Sequence, residues 1–157
     1  MINPAVALKL IHVISACVLL GSGVGIAFFM WMARRSADAA IIAAMAHAVV
    51  IADAVFTATA VITQPITGAA LAGAMGFSLF EPWIVVSFAL YLLVGACWLP
   101  VVWIQFRLRD IAEVARDAHA PLPARYHRLF RIWLILGWPA FAGVVAIFAL
   151  MIAKPSL

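Results

Sequence analysis

The stretch KLIHVISACVLLGSGVG, from Lys9 to Gly25, is apolar enough to lie in a membrane, yet it carries a lysine and, three residues later, a histidine. The apolar run around it extends from about Pro4 to about Met32. That length exceeds the ~20 residues that an α-helix needs to cross about 30 Å of hydrocarbon. The stretch therefore predicts a membrane-spanning helix that keeps polar side chains despite their cost in hydrocarbon.

The composition of the whole chain agrees with an integral membrane protein. Hydrophobic residues make up 68% of the 157 residues and charged residues 10%, against about 25% charged residues in soluble domains. A chain of this length has too little interior to hide so many apolar side chains from water. The net charge of +4 does not indicate a nucleic-acid-binding protein, because the basic residues cluster at the ends of apolar runs.

Four apolar segments divide the chain, and each is long enough to span a bilayer. Because these runs are continuous, they favour helices over the alternating strands of a membrane barrel. We predict a single all-α, four-helix membrane domain over residues 1–157, with spans at about 4–32, 47–74, 83–106 and 132–153. An alanine-rich lead-in from Ala39 precedes the second span.

The distribution of lysine and arginine predicts the orientation of the spans. Eight of the ten basic residues lie in or beside the first and third connections, and none lies in the second. The positive-inside rule makes the first and third connections cytoplasmic. Both termini are then expected on the periplasmic side of a bacterial inner membrane.

The third connection contains RLRDIAEVARDAHA, which predicts a short amphipathic helix between spans 3 and 4. Ile111, Val114 and Ala118 share one face of such a helix, and Arg109 and Glu113 form an i,i+4 pair. We expect the helix to lie on the inner leaflet. An alternative interpretation is a docking site for a partner protein.

Polar side chains within the spans are candidate functional groups, because each one is costly in hydrocarbon. Counting 1.5 Å per residue along each helix places His12, Gln64 and Tyr91 in one layer, in the outer half of the membrane. Three further residues with hydroxyl groups lie near that layer: Ser15, Thr63 and Thr67.

One face of the second span is polar. Thr57, Gln64 and Gly68 fall on it, at spacings of seven and four residues. Pro65 interrupts the same span and frees the backbone carbonyl near Val61. A kink beside a polar face makes room for a ligand, although such kinks also occur in helices that bind nothing.

His12 is the strongest single candidate. A neutral imidazole inside a four-helix bundle is a natural axial ligand for haem iron, and the glycines between Gly21 and Gly25 would let a flat macrocycle or another helix approach. The alternative interpretation is that His12 hydrogen-bonds Gln64 or Tyr91 and that the glycines serve helix packing. No second histidine reaches this depth, so the other iron ligand would be absent, a non-histidine group or part of a second copy.

Two charged residues lie within the spans. Lys9 is close enough to the outer headgroups for its ammonium to reach them, and its position three residues before His12 also suits contact with a haem propionate. Asp53 lies about six residues inside the predicted second span, where we expect either a structural ion pair or a proton-relay carboxylate. Its expected partners are the arginines at that level: Arg34, Arg35, Arg107 and Arg131.

Three motifs resemble a known family. KLIHVISACVLLGSGVG opens the chain, WLPVVWIQFRLRD ends the third span, and YHRLFRIWLILGWPAFAGVVAIFALMIAKP forms the last. Together they resemble the family of unknown function DUF2269, whose members are predicted four-helix integral membrane proteins of bacteria. The resemblance covers nearly the whole chain, and the last motif is its most specific part.

A more distant likeness is to the HemJ-type protoporphyrinogen oxidases and the copper-resistance D-like membrane proteins. That group also has about four spans, an early K-x-x-H-like histidine and an ending close to KP. In the HemJ-type group the first-helix histidine is associated with haem b, and a lysine in the third helix is important. His12 matches the histidine, but the third span here has no lysine. The likeness therefore implies a haem-binding bundle without the HemJ activity.

These observations predict a haem b-binding membrane redox protein, with His12 on the iron and Lys9, Gln64 and Tyr91 beside the cofactor. It would act as an oxidoreductase or an electron-transfer subunit, exchanging electrons with quinone or a periplasmic cytochrome, or oxidising a small hydrophobic substrate. One alternative is a small transporter for a metal or organic solute, with a pathway from the Gln64–Tyr91 layer to Asp53. Another is a non-catalytic membrane subunit of a larger complex or homo-oligomer.

Overall fold

The computed structural model describes residues 3–155, which form four membrane-length helices. The elements are α1 (Pro4–Ser36), α2 (Ala39–Ala52), a π-helical segment (Asp53–Thr57), α3 (Ala58–Ala74), α4 (Pro82–Asp117) and α5 (Ala124–Ala153). α2, the π-helical segment and α3 follow one another without a break and make one span of 36 residues. No strand occurs in the described residues. The predicted all-α, four-span fold is confirmed.

The bundle has two chemically different ends. One holds both ends of the described chain and the connection of residues 75–81, and we call it the terminal end. The other holds the connections of residues 37–38 and 118–123 together with the eight arginines, and we call it the arginine end. Successive spans therefore run in opposite directions.

A capping aspartate decides where the second span begins. Oδ1 of Asp38 accepts a hydrogen bond from the backbone N–H of Ala40 at 2.7 Å, which satisfies one of the free donors at a helix start. α2 consequently begins at Ala39, and the alanine-rich lead-in is helical. The helix thus begins eight residues before residue 47, the predicted start of the membrane span.

The predicted separate amphipathic helix between spans 3 and 4 is not present. α4 continues through this segment to Asp117, because no helix breaker occurs before Pro121. Its buried face is formed by Leu108, Ala112 and Ala115. The predicted apolar face is more open, and Val114 on it is 70% exposed.

The predicted ion pair in this segment also differs. The guanidinium of Arg109 pairs with the neighbouring Asp110 at 2.7 Å. Glu113, its expected partner, instead lies 3.7 Å from Nδ1 of His47 on α2. Of the two contacts, only that between Glu113 and His47 joins the polar end of α4 to α2.

The hydrophobic core fills the arginine half of the bundle. Its largest fully buried side chains are Tyr126, Phe130, Met30, Ile42 and Leu108. In that half α4 packs against α2 and α5, and α1 packs against α2. In the terminal half α1 pairs with α3, whereas α4 pairs with α5. The candidate site lies in the terminal half, between α1 and α3.

Candidate functional site

The imidazole of His12 contacts one threonine of α3, and the hydroxyl of that threonine bonds in turn to the backbone of another. Nδ1 of His12 lies 2.9 Å from Oγ1 of Thr67, and the Thr67 hydroxyl donates its proton to the backbone carbonyl of Thr63 at 2.7 Å. Because a threonine hydroxyl has one proton, Nδ1 carries the imidazole hydrogen and donates it to Thr67. Nε2 then bears a lone pair, and it makes no hydrogen bond with the described residues.

Gln64 ties α3 to the backbone of α1 at the same level. Its Nε2 donates to the backbone carbonyl of His12 at 2.8 Å and to Oγ of Ser15 at 2.5 Å. The predicted proximity of Gln64 and Ser15 to His12 is confirmed. Both hydrogen bonds donated by the Gln64 amide therefore join α3 to α1.

Gly68 lies against the imidazole. A Cβ at this position would stand 3.2 Å from Cε1 of His12, which is tight enough to press on the ring. The polar face predicted from Thr57, Gln64 and Gly68 therefore faces α1, as the spacing indicated. The glycine leaves room for the ring at the point where the two helices meet.

Tyr91 lies on a different helix and contacts a different atom. Its hydroxyl donates to the backbone carbonyl of Val61 at 2.5 Å. That carbonyl is four residues before Pro65, which has no N–H to offer it. The freed carbonyl predicted near Val61 is thus present, and Tyr91 satisfies it. In the described residues Tyr91 makes no hydrogen bond to His12.

Lys9 and the glycines of α1 face away from the bundle. Lys9 is exposed at the terminal end, one turn from His12. A Cβ added at Gly21, Gly23 or Gly25 would meet nothing within 4 Å. The expectation that these glycines serve helix packing within the chain is therefore wrong for the described residues.

A second polar cluster surrounds Asp53, at the start of the π-helical segment. Asp53 is 4% exposed, and its Oδ1 accepts a hydrogen bond from Nε1 of Trp98 at 3.3 Å. The Thr57 hydroxyl adjoins the same carboxyl and lies 3.0 Å from Oγ of Ser22 on α1. π-helical segments of this kind are often found at functional sites.

The ion pair expected for Asp53 is not formed. Among the described residues, the salt bridges involve other acidic groups. The helix starts at Ala39, and Asp53 lies fourteen residues, or about 21 Å, from that end. Arg34 instead lies over the ring of Phe130, 4.7 Å from its centroid.

The polar contacts between α1 and the second span follow a regular spacing. Three polar pairs join the helices, and we call them the polar seam: His12–Thr67, Ser15–Gln64 and Ser22–Thr57. Along α1 the three residues of these pairs are separated by three and then seven positions. Along the second span their partners are separated by seven and then three positions. The two helices run antiparallel, so these spacings bring each pair to one level.

The match to a family model covers residues 6–155, and the family is described as a predicted integral membrane protein, DUF2269. The chain belongs to the DUF2269 family. The resemblance inferred from three sequence motifs is thereby confirmed, as is the integral membrane character. No curated protein and no solved structure matches the chain.

DUF2269 carries no assigned chemistry in that description, so the site must be judged by its own groups. Across residues 3–155, no three His, Cys, Asp or Glu residues cluster to hold a metal ion. His12 is therefore a single protein ligand at best. Sequence reasoning placed Thr67 near His12 but did not identify it as the ring partner. It also missed the Trp98–Asp53 contact, which no local spacing could reveal.

Proposed function

We propose that the chain binds haem b through Nε2 of His12 and acts as a membrane redox protein. The observation that carries this proposal is the hydrogen bond between Nδ1 of His12 and Thr67, whose own proton goes to Thr63. Histidines that bind metals usually donate the other ring N–H to such a partner, which fixes the tautomer and the ring orientation. Nε2 is thus prepared to bind iron.

Other groups around His12 fit the same ligand. Haem, when bound, would supply one-electron chemistry that no side chain of the site provides. The exposed ammonium of Lys9, one turn away, suits a propionate carboxylate. Gln64 supports the site indirectly because it holds the backbone carbonyl of His12, and Tyr91 holds the Val61 carbonyl of the helix that faces His12.

Within this chain His12 would hold the haem iron. The Nε2 amide of Gln64 and the hydroxyl of Tyr91 donate to backbone carbonyls, so neither side chain can turn toward the iron without breaking these hydrogen bonds. We therefore propose that His12 is the one iron ligand from this chain, or that a second copy of the chain would contribute another. When bound, the haem would supply the oxidation of a small hydrophobic substrate, with quinone or a periplasmic cytochrome as the electron partner.

We also propose a bacterial inner membrane location with both termini in the periplasm. The support is the collection of eight arginines at one end of the bundle. In a variant without Cys17 and Cys97, an impermeant thiol reagent should label Ser78→Cys in intact cells. It should label His119→Cys only after permeabilisation. The opposite pattern would reverse the orientation.

The haem proposal is tested by the visible spectrum of the protein purified from haem-replete cells. We expect a Soret band that His12→Ala removes. His47→Ala is the matched control, because His47 is exposed at the arginine end, and it should keep the band. A wild-type protein that is colourless and takes up no added haem would refute the proposal and favour a non-catalytic subunit.

Transport of a metal or organic solute is the second candidate. It requires a polar route that reaches both faces of the membrane. The polar seam runs from His12 only as far as the level of Asp53, and the hydrophobic core occupies the rest of the bundle. This arrangement favours a binding role over transport. Uptake that depends on Asp53 would support the transporter instead.

A further inference from the structure

Asp53 is an acidic residue in the middle of a span. The other five acidic residues lie in or near the connections, at positions 38, 81, 110, 113 and 117. Asp53 is also almost completely buried, at 4% exposure. The haem proposal gives this residue no task, so its presence requires its own explanation.

The helices around Asp53 supply no counter-charge at its level. α3 has no titratable group, and α5 has none between Arg131 and Lys154. On α1, α2 and α4 the titratable groups on either side of this level make no ion pair with Asp53 in the described residues: Cys17, Cys97, His12, Arg34, His47, Tyr91 and Arg107. A buried carboxylate without a cation is strongly disfavoured in hydrocarbon. The stable form of Asp53 is therefore the neutral acid.

Two hydrogen-bonding side chains, Trp98 and Thr57, contact the carboxyl group. The indole N–H of Trp98 donates to Oδ1, which leaves the other oxygen to carry the proton. The Thr57 hydroxyl adjoins the carboxyl and continues to Ser22, 3.0 Å away. Each hydroxyl can accept one proton and release another. Asp53, Thr57 and Ser22 thus form a short chain of exchangeable protons.

The surroundings of Asp53 differ on its two sides. One turn toward the arginine end, Ile26, Val49 and Val101 form a buried apolar layer, and each is less than 9% exposed. In the other direction lies the polar seam, although Leu19 and Ala60 separate Ser22 from the next polar pair. Proton movement toward the arginine end is opposed more strongly than movement toward the terminal end, because the hydrophobic core continues beyond the apolar layer.

We propose that Asp53 is a proton-binding site that exchanges its proton with the terminal end of the bundle through Thr57, Ser22 and the polar seam. In each exchange the carboxyl releases one proton to the neighbouring hydroxyl and regains one from it, so no other reactant is consumed. The site requires no haem. Its failure would leave the haem proposal untouched, because every measurement below is made on haem-free protein.

The first test is infrared absorption of the full chain in lipid nanodiscs at neutral pH. We expect the carbonyl band of an un-ionised, buried carboxylic acid, and Asp53→Asn should remove it. Asp38→Asn is the control, because Asp38 is an exposed capping residue, and it should keep the band. Absence of the band from the wild-type spectrum would show an ionised carboxylate and overturn the proposal.

A second variant identifies the acid without removing it. Trp98→Phe deletes the indole donor and should move the band to higher frequency, because a carbonyl that accepts fewer hydrogen bonds is stiffer. Phe88→Leu, an exposed change on the same helix, should leave the band in place. If Trp98→Phe does not shift the frequency of the band, the band does not belong to Asp53, and the assignment is overturned.

The route is tested by transfer into heavy water, which shifts the band as the acid proton is replaced. Ser22→Ala should slow the shift about fivefold, the factor expected for the loss of one hydrogen bond. Thr59→Val is the control, because Thr59 is exposed and bonds only to Val55 and Phe56 of its own helix. Equal exchange rates in Ser22→Ala and wild type would refute the route. Circular dichroism should show unchanged helix content in both variants.

Discussion

The hydroxyl of Tyr91 on α4 donates a hydrogen bond to the backbone carbonyl of Val61 on α3. This carbonyl has no partner within its own helix, because Pro65 lacks the N–H that would reach it. The Tyr91 phenol thus completes the hydrogen bonding of α3 and joins that helix to α4.

Tyr91→Phe is expected to lower the free energy of unfolding by about 1–3 kcal/mol, because it leaves the Val61 carbonyl unsatisfied in the membrane. Tyr126→Phe is the matched control. Tyr126 is fully buried, but its hydroxyl has no partner among the described residues, so its loss should cost little. Unfolding in detergent micelles, followed by circular dichroism, measures both. A larger loss of unfolding free energy in Tyr126→Phe than in Tyr91→Phe would contradict the role given to the Tyr91–Val61 hydrogen bond.

Pro65→Ala should reduce the cost of Tyr91→Phe. The alanine N–H can donate to the Val61 carbonyl, so the carbonyl no longer depends on the tyrosine. The double variant is therefore expected to be more stable than the sum of the two single changes predicts, by about 0.5–1.5 kcal/mol. Strict additivity would show that the two residues do not share this carbonyl.

Gly143→Ala tests the close packing of α4 and α5. A Cβ at Gly143 would stand 2.6 Å from Cγ2 of Val94, so the Val94 side chain or the helix backbone must move, at a cost of about 1–3 kcal/mol. Gly137→Ala on the same helix is the control, because nothing lies within 4 Å of its added Cβ. The unfolding midpoint should fall for the first variant alone.

Thr67→Val tests the role of the imidazole partner under the haem proposal. The variant keeps the shape of the side chain but removes the acceptor for Nδ1 of His12. Haem affinity, titrated by the Soret band, should fall about tenfold, as is usual when a partner of a metal-binding histidine is lost. Thr59→Val should not change it, since Thr59 bonds only to its own helix. Equal haem affinities in Thr67→Val and Thr59→Val would show that the Thr67 hydroxyl has no role in haem binding.

Apolar run length predicted the four spans well, because hydrocarbon thickness fixes how many residues a helix needs. Helical spacing also predicted the inward face of the second span, with Thr57 and Gln64 directed at α1. Depth was harder to predict. The hydrophobic edge was placed near residue 47, whereas the Asp38 cap starts the helix at Ala39, and the arginines expected beside Asp53 do not pair with it in the described residues.

The remaining differences concern contacts between helices. The π-helical segment has no compositional signature, since its extra residue changes hydrogen bonding and not hydrophobicity. The partners Thr67 and Trp98 were selected by the relative rotation of neighbouring helices, which a single sequence does not encode locally. The glycines of α1 look like packing residues in the sequence, yet in the described chain they face outward.

The placement of the polar seam has a consequence for membrane insertion. Its three contacts lie entirely within residues 12–67, in the first two spans. Because these contacts need neither α4 nor α5, this helical hairpin can satisfy its polar seam before the last two spans are synthesised. The first half of the protein is therefore suited to enter the bilayer as a unit, to which the second half would pack through the hydrophobic core at the arginine end.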